Sequence, residues 1–411
     1  MLNDIAPIFA ALKRGRLGAG LLVLQIALTL AVVGNIVFLI GARTAHITRP
    51  TGIDERNAFM IGYRLDHPEG AGGQRETDLA ALRGVPSVEG VTAINSFPLR
   101  GSGWTEGVSR HAGAGDIQSQ DGNVDVYALD EAGVGTLGLT LVEGRDIQRD
   151  DLIDGSFNRA PLPPVVLITR SLAERLFPGR SALGQALYLT PEPNHPLRVI
   201  GVLEHLQTTN AAATTDVPAA EDSVVVPMTD HGPRGLYFVR ARPGQMAAAM
   251  VAVKAALAKA NPQRTFGKVR PYSEIRAGAY ERDRAMAITL GVICAILVFV
   301  TALGIVGLTG FWVERRKRQI GIRRALGATR IAVIRYFLVE NAMLCGAGVI
   351  IGAIAAWALN AWLGDHYGVP AMPGWMIAAS AVAILALGQV SASFPSSRAA
   401  RVDPAKAIRS C

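Results

Sequence analysis

Side chains that could perform catalysis are scattered along this sequence. The seven histidines show no mutual spacing typical of a metal site: His46, His67, His111, His195, His205, His231 and His366. Neither a G-x-S-x-G nucleophile turn nor an H-E-x-x-H zinc motif occurs. Gly267-Lys268 lacks the upstream glycine and the following hydroxyl residue of a phosphate-binding G-x-x-x-x-G-K-[ST] loop. The sequence therefore predicts no catalytic residue, no metal site and no cofactor bound by this chain.

The densest charge pattern is a basic segment between two apolar runs. Its cations are Arg315, Arg316, Lys317, Arg318, Arg323, Arg324 and Arg330. The chemistry that such a segment can do is binding. Interspersed apolar residues predict a helix along a membrane surface, with one apolar side formed by Ile320, Ile322, Leu326 and Ile331. A plain alternative is that the arginines only keep this loop on the cytoplasmic side.

Four apolar stretches must position that segment. They cover residues 17–42, 285–313, 336–364 and 373–394. A bilayer core about 30 Å thick needs roughly 20 apolar residues of helix, so each qualifies as a membrane span. The first stretch, preceded by Lys13, Arg14 and Arg16, could instead be a signal peptide. It is too long for that, however, and no A-x-A-like cleavage site follows it.

The distribution of Lys and Arg among the short segments predicts the orientation. Basic residues occupy the N-terminal arm (1–16), the loop 314–335 and the tail 395–411, whereas loop 365–372 has neither Lys nor Arg. Both termini are therefore expected in the cytoplasm, with 1–16 as an interfacial helix and 43–283 as one large extracytoplasmic domain. The net charge of +8 is then mostly juxtamembrane, which argues against a nucleic-acid partner.

The outer domain alternates strand-like and helix-like pieces, which predicts an α+β fold. The polar, glycine-rich stretch 99–117 is expected to be a loop, and 268–272 a last strand. Residues 273–284 favour a helix that continues into the second span as a rigid stalk. All three cysteines, Cys294, Cys345 and Cys411, lie outside this domain, so the sequence predicts no disulfide framework in it.

Polar and small residues in the spans predict helix packing. Gln25, Thr29 and Asn35 lie near one helical stripe and are expected to join helices. Gly348 and Gly352 form a G-x-x-x-G pair that favours close approach of another helix. Glu340 is expected to contact Arg335 or a neighbouring helix, with a proton or substrate site as the alternative.

Several phrases of the chain resemble one family. They are Gly138-Leu-Thr-Leu-Val-Glu-Gly-Arg-Asp146, Val165-Val-Leu-Ile-Thr-Arg-Ser-Leu-Ala-Glu-Arg-Leu-Phe-Pro-Gly179, Arg198-Val-Ile-Gly-Val202, Ile320-Gly-Ile-Arg-Arg-Ala-Leu-Gly-Ala328, Ala400-Arg-Val-Asp-Pro-Ala405 and Ile408-Arg409. With one span, an outer domain and then three spans, the chain is similar to MacB/FtsX-like permeases of ABC transporters. The resemblance implies four transmembrane α-helices in the bacterial inner membrane and a MacB-type periplasmic core domain between helices 1 and 2.

The resemblance also implies a coupling role for Ile320–Ala328, which would dock on a cytoplasmic ABC ATPase. Its residues are Ile320, Gly321, Ile322, Arg323, Arg324, Ala325, Leu326, Gly327 and Ala328. The two glycines would allow close approach or a sharp turn, Ile322 and Leu326 would bury apolar area, and Arg323 and Arg324 would pair with acidic groups.

The remaining partners follow from the same resemblance. MacB carries a fused ATPase, whereas this chain begins a few residues before its first span, so a separate ATPase subunit is expected to bind ATP and Mg. A second permease chain, identical or paralogous, a periplasmic adaptor and an outer-membrane channel are expected too. Export of peptides, antibiotics or lipids is the function implied. An FtsX-like regulator of a cell-wall hydrolase, a lipoprotein-extracting permease and a membrane-tethered receptor remain alternatives.

Overall fold

A computed structural model describes residues 16–65, 71–113, 121–155, 161–190, 192–213, 220–230 and 234–400. The predicted interfacial helix before residue 16 and the tail after residue 400 lie outside the described residues. The chain divides into two compact units. A membrane unit comprises Met1–Ala45 and Asp283–Cys411, and an outer unit comprises His46–Arg282.

Five helices build the described part of the membrane unit, and four of them are long. They are α1 (Arg16–Ile47), α7 (Glu281–Arg315), α8 (Lys317–Ala325), α9 (Arg330–Tyr367) and α10 (Gly374–Ala399). All except α8 are long and apolar enough to cross a bilayer. This confirms the predicted four spans, with the large domain inserted after the first.

Helix α1 is the most enclosed of these helices. In its most apolar stretch 56% is buried within the protein, against 11% for α7. Its inner side packs Leu22, Ile26 and Leu30 into the core of the unit. The apolar side chains on the outside of the other helices are therefore left for lipid.

Polar side chains join the spans as predicted. Thr29 and Thr301 share a buried hydrogen bond of 2.7 Å between their hydroxyls. The Gln25 amide donates to the Val300 carbonyl at 3.1 Å. These bonds confirm that the polar stripe of α1 holds helices together.

The outer unit contains thirteen strands, five α-helices and two 3₁₀ helices (Arg149–Asp151 and Ala211–Ala213) in its described residues. The strands are β1 (Ala58–Leu65), β2 (Val88–Ala93), β3 (Thr105–Ser109), β4 (Asn123–Leu129), β5 (Leu141–Gly144), β6 (Ile153–Gly155), β7 (Val165–Thr169), β8 (Ala186–Leu189), β9 (Leu197–Leu203), β10 (Ser223–Asp230), β11 (Arg234–Ala241), β12 (Arg264–Phe266) and β13 (Arg270–Pro271). The helices are α2 (Ala71–Arg83), α3 (Gly133–Leu137), α4 (Arg170–Leu176), α5 (Met246–Ala260) and α6 (Tyr272–Ala279).

One sheet has the strand order β12-β1-β11-β2, and β13 also pairs with β1. Strand β1 runs antiparallel to β11, with Phe59 opposite Val239. Because side chains alternate along a strand, Phe59 and Ile61 share one face. That face packs on Leu82 of α2 and Val253 of α5. The alternation seen in the sequence thus builds an α/β layer.

The second sheet closes on itself. Its order is β4-β3-β8-β9-β7-β10, and β10 pairs again with β4. Alternate Val, Ile and Leu side chains, including Val126, Val166, Leu187, Val199 and Val224, form one buried cluster within it. Closure leaves these strands without open edges, which suits a domain built without disulfides.

Two predictions for the outer domain are wrong. The stretch 99–117, expected to be a loop, contains β3. Strand β12 lies in a segment for which the sequence predicts no element. The stalk helix is not continuous, because α6 ends at Ala279 and α7 begins at Glu281. Tyr280 interrupts the helix with φ −102° and ψ 13°, and its ring is fully buried. Burial of this ring favours the break.

Candidate functional site

The predicted coupling segment forms the short helix α8 and the turn after it. Ile320 is 6% exposed and packs on Val313 of α7, on Val333 and Phe337 of α9, and on Ala399 of α10. Gly321 is buried beside it. One isoleucine therefore anchors α8 to three long helices.

The turn after α8 is a Schellman motif. The Gly327 amide donates to the Arg324 carbonyl at 3.1 Å, and the Ala328 amide donates to the Arg323 carbonyl at 3.0 Å. Gly327 has φ +96°, which glycine adopts without strain. The hydroxyl of Thr329 then accepts from the Ala332 amide at 3.2 Å and caps α9. The sequence Leu326-Gly-Ala-Thr329 thus ends α8 and starts α9.

Three large apolar side chains point away from the protein at this turn. Leu326 is 83% exposed, Ile331 76% and Ile322 45%. We call these three residues the loop patch. The predicted apolar side that also included Ile320 is wrong, since Ile320 faces inward while the other three face outward. Apolar side chains grouped in this way commonly mark a binding surface.

A buried ion pair fixes the start of α8. The Arg316 guanidinium donates to both carboxylate oxygens of Glu340, at 2.7 and 3.0 Å. The Glu340 side chain is only 2% exposed. Glu340 was expected to bind Arg335 or a neighbouring helix; its partner Arg316 lies at the corner between α7 and α8. The pair ties that corner to α9.

The arginines of α8 have different surroundings. Arg323 is exposed and lies over the Tyr336 ring, 5.2 Å from its centroid. Arg324 is half-buried and Ala325 is exposed. Between α8 and the first turns of α9 lies a cavity of about 200 Å³, lined by Arg316, Ile320, Arg323 and Tyr336 among others. The structure thus collects cations and aromatic rings around a small recess beside the loop patch.

The two predicted packing glycines lie elsewhere, in the middle of α9. A Cβ on Gly348 would lie 2.8 Å from Ile26 Cβ, and one on Gly352 would lie 2.9 Å from the Ala27 carbonyl oxygen. Both glycines are buried against α1 of the same chain. Their place is therefore an intramolecular helix contact.

Sequence reasoning missed two residues of this site. Arg316 was counted among the cations that set topology, and Tyr336 was not singled out. Their spacing in the sequence does not reveal either residue, because Arg316 and Tyr336 come together only when the turn at Gly327 places α9 beside α8. An acidic residue inside an apolar run, as Glu340 is, was the available signal that a buried cation is needed.

Two family-wide sequence profiles match the chain. The MacB-like periplasmic core domain matches residues 17–257, and the FtsX-like permease C-terminal domain matches residues 291–404. The second match includes the whole of α8, the turn and the loop patch.

Individual relatives agree with these matches. The ABC transporter permease YknZ of Bacillus subtilis is 23% identical over 81% of this chain and 78% of its own length. The macrolide export ATP-binding/permease protein MacB of Sodalis glossinidius is 24% identical over 79% of this chain. The pyoverdine export ATP-binding/permease protein PvdT of Pseudomonas putida is 29% identical over 63% of this chain. The alignments cover half of that MacB and 40% of that PvdT. The chain belongs to the MacB/FtsX-like family of ABC transporter permeases.

Proposed function

We propose that this chain is the permease subunit of an export system, driven by an ATPase subunit that docks on the loop patch. ATP and Mg would be bound by that partner and not by this chain. Two relatives that carry ATP-binding and permease parts together are named for export, of macrolides and of pyoverdine. Peptides, antibiotics or lipids are the cargo classes that we propose for this chain.

The observation that carries the proposal is the loop patch on a rigid support. Leu326 and Ile322 are exposed at a turn whose backbone is fixed by two capping motifs. Burying large aliphatic side chains in a partner's groove would stabilise the complex by about 1.5–3 kcal/mol each. Ile320 and the Arg316–Glu340 pair would transmit the partner's movement to α7, α9 and α10, because they keep α8 from moving separately from those helices.

Two further contacts support transmission of movement to the outer unit. Within the membrane unit, Arg43 near the end of α1 is hydrogen-bonded to Asp283 of α7. Within the outer unit, the Arg276 guanidinium of α6 donates to the carbonyls of Ile47 and Arg49, at 2.6 and 2.7 Å. The two chain segments that link the units are therefore tied to each other on both sides of the division. We propose that they move together and change the shape or position of the outer unit.

The orientation belongs to the same proposal. The loop patch would face the cytoplasm of a bacterial cell and the outer unit the periplasm, with both termini cytoplasmic. A second copy of the chain, or a paralogue, would complete the permease, and a periplasmic adaptor with an outer-membrane channel would take over the cargo.

The test is co-purification of the ATPase with the permease in a mild detergent. Leu326→Asp places a charge in the centre of the loop patch, and Arg323→Glu reverses the charge over Tyr336. Both variants should insert normally but lose the ATPase. Val251→Asp is the matched control, because Val251 is 72% exposed on α5 of the outer unit and should not affect the complex. Normal ATPase recovery with Leu326→Asp would refute docking at the loop patch.

A further inference from the structure

The outer unit contains two adjoining cavities beside the β12-β1-β11 edge of its open sheet. Their volumes are about 360 and 370 Å³. Gly62, Arg100, Leu236 and Gly267 line both, so the two cavities share a wall. We call the combined cavities the basic groove. Its total volume is in the range of small-molecule sites.

The charges around the basic groove are unbalanced. Arg64, Arg75, Arg100 and Arg234 line the first cavity, and no carboxylate lies among its described lining residues. The second cavity adds Lys268, Arg270 and Glu274. Glu274 accepts from the Lys268 ammonium at 2.9 Å, so its charge is already matched. A concave surface of this composition attracts anions.

Arg75 is the decisive residue. It is 6% exposed, and its Nε atom has no hydrogen-bond partner among the described residues. Nor does Arg75 form an ion pair with any described residue. Asp130, which shares the wall of a smaller neighbouring cavity with Arg75, instead accepts from Thr92 at 2.7 Å. Arg75 is therefore enclosed by the protein at its Nε atom, lines the cavity, and receives no carboxylate from the described residues.

A second buried arginine of the outer unit, Arg264 of β12, does form an ion pair. Arg264 and Asp78 are both fully buried, and two hydrogen bonds of 2.5 and 2.8 Å join them. The Tyr237 hydroxyl also donates to Asp78, at 2.7 Å. Arg264 therefore receives a carboxylate from the chain itself. Arg75, on the wall of the basic groove, does not.

Two contacts within the chain hold Arg100 in place. Its Nη1 atom donates to the Asn95 carbonyl at 2.9 Å, and its guanidinium lies over the Phe97 ring, 5.7 Å from the centroid. Partial desolvation, and then the positive charge of Arg270, lower the pKa of Arg100. Like charges held close together without an intervening carboxylate are relieved when an anion binds between them.

We propose that the basic groove binds an anionic ligand, whose phosphate or carboxylate group contacts Arg75 and Arg100. The planar guanidinium binds both groups through paired hydrogen bonds. Leu236 and Phe97 line the second cavity, so an apolar portion of the ligand lies along them. This inference is independent of the proposed function, because binding requires neither an ATPase nor the loop patch.

The test is calorimetry on the full-length protein in a non-ionic detergent. The probes are dihexanoyl phosphatidate and octanoate as anions, dihexanoyl phosphatidylcholine as the zwitterion without net charge, and inorganic phosphate. At least one of the two anionic amphiphiles should bind, and the phosphatidylcholine should not. Weaker binding of inorganic phosphate than of phosphatidate would support the contact with the apolar portion, and equal binding would overturn that contact. Failure of both anionic amphiphiles, or equal binding of phosphatidylcholine, would overturn the proposal.

Variants separate a binding role from a structural one. Arg75→Met should weaken anion binding by about tenfold or more. It should leave the Tm without ligand unchanged or higher, because Arg75 forms no ion pair with a described residue that the substitution would remove. Arg234→Gln, at an exposed position of the wall, should weaken binding without affecting folding. Arg198→Gln, an exposed arginine on β9, is the control. Unchanged affinity, or a lower Tm, in Arg75→Met would overturn the assignment. Leu326→Asp should bind the anion like the wild type, which keeps this test separate from ATPase docking.

Discussion

At the scale of single residues, burial decides how much each ion pair contributes to the stability of this protein. The cations of two ion pairs, Arg316–Glu340 and Lys317–Glu314, are adjacent in sequence. The N···O distances of these pairs are 2.7 and 2.6 Å. Glu340 is 2% exposed, whereas Lys317 and Glu314 are 48% and 66% exposed. Water screens the second pair but not the first. Removing one partner should therefore have unequal consequences.

We expect Arg316→Met to lower stability by about 3–5 kcal/mol, because Glu340 would remain charged and buried without a cation. The double variant Arg316→Met/Glu340→Gln should recover much of the loss. Lys317→Met is the matched control, and its effect should stay below about 1 kcal/mol. Thermal unfolding in mild detergent measures all three. Equal Tm values for Arg316→Met and Lys317→Met would contradict the view that the buried Arg316–Glu340 pair fixes α8 to α9.

Asp130 should make the outer unit sensitive to pH. Desolvation is the main cause that raises the pKa of this carboxyl, against hydrogen bonds from Thr92 and the Ala132 amide that lower it. A raised pKa means that the fold favours the protonated form. Its contribution to stability is full below about pH 4, the pKa of an unfolded aspartate, and is lost as the pH rises through the folded pKa.

We therefore expect Asp130→Asn to raise the Tm at pH 7.5, since the amide oxygen can still accept both hydrogen bonds. At pH 4 the gain should disappear. Asp150→Asn, at an exposed carboxylate, should change little at either pH. A lower Tm of Asp130→Asn at pH 7.5 would indicate that Arg83, 3.9 Å away, outweighs desolvation.

At the scale of elements, two glycines of α9 provide a direct comparison. A Cβ on Gly348 would meet Ile26 of α1, whereas one on Gly346 would meet nothing within 4 Å. Gly348→Ala should cost about 1–3 kcal/mol through overpacking. Gly346→Ala should be neutral or stabilising, because alanine favours a helix by about 1 kcal/mol. Equal Tm values for the two variants would mean that α1 and α9 are not packed as described.

Local patterns predicted some elements well and others poorly, for identifiable reasons. Strands β7 and β9 follow from runs rich in Val, Ile and Leu, and β1 follows from a run of apolar and aromatic residues. Strand β12 reads Arg-Thr-Phe and is too short and polar to be recognised; it is held by pairing with β1. The break at Tyr280 was missed because its neighbours favour a helix, and only tertiary burial of the ring identifies it.

For the coupling segment, too, the sequence predicts some features well and others poorly. Its apolar and basic residues follow from the sequence, but the sequence predicts that Ile320 shares one apolar side with Ile322, Leu326 and Ile331. The inward position of Ile320 depends on Val333 and Phe337, which reach it only after the turn at Gly327. Of the two roles that the sequence allows for Gly327, close approach to a partner or a sharp turn, the Schellman motif accounts for the turn. Exposure of Leu326 is the stronger argument for docking.

At the scale of the whole molecule, the function proposed for the chain depends on which side of the membrane each unit faces. Two helices, α1 and α7, carry the chain between the membrane unit and the outer unit. The outer unit contains no cysteine, and all three cysteines can be replaced without touching it. This allows single cysteines to report the compartment of each region.

In a chain with Cys294, Cys345 and Cys411 changed to serine, we expect Val251→Cys to react with a membrane-impermeant maleimide in intact spheroplasts. Gln319→Cys, exposed on α8, should react only after the membrane is opened. The basic loop predicts this difference, because Lys and Arg near a span are retained in the cytoplasm. ATPase co-purification with both variants would verify that each is assembled. Labelling of both positions in intact spheroplasts would place the loop patch outside the cell, where no ATP-driven subunit could reach it, and would refute the proposed function.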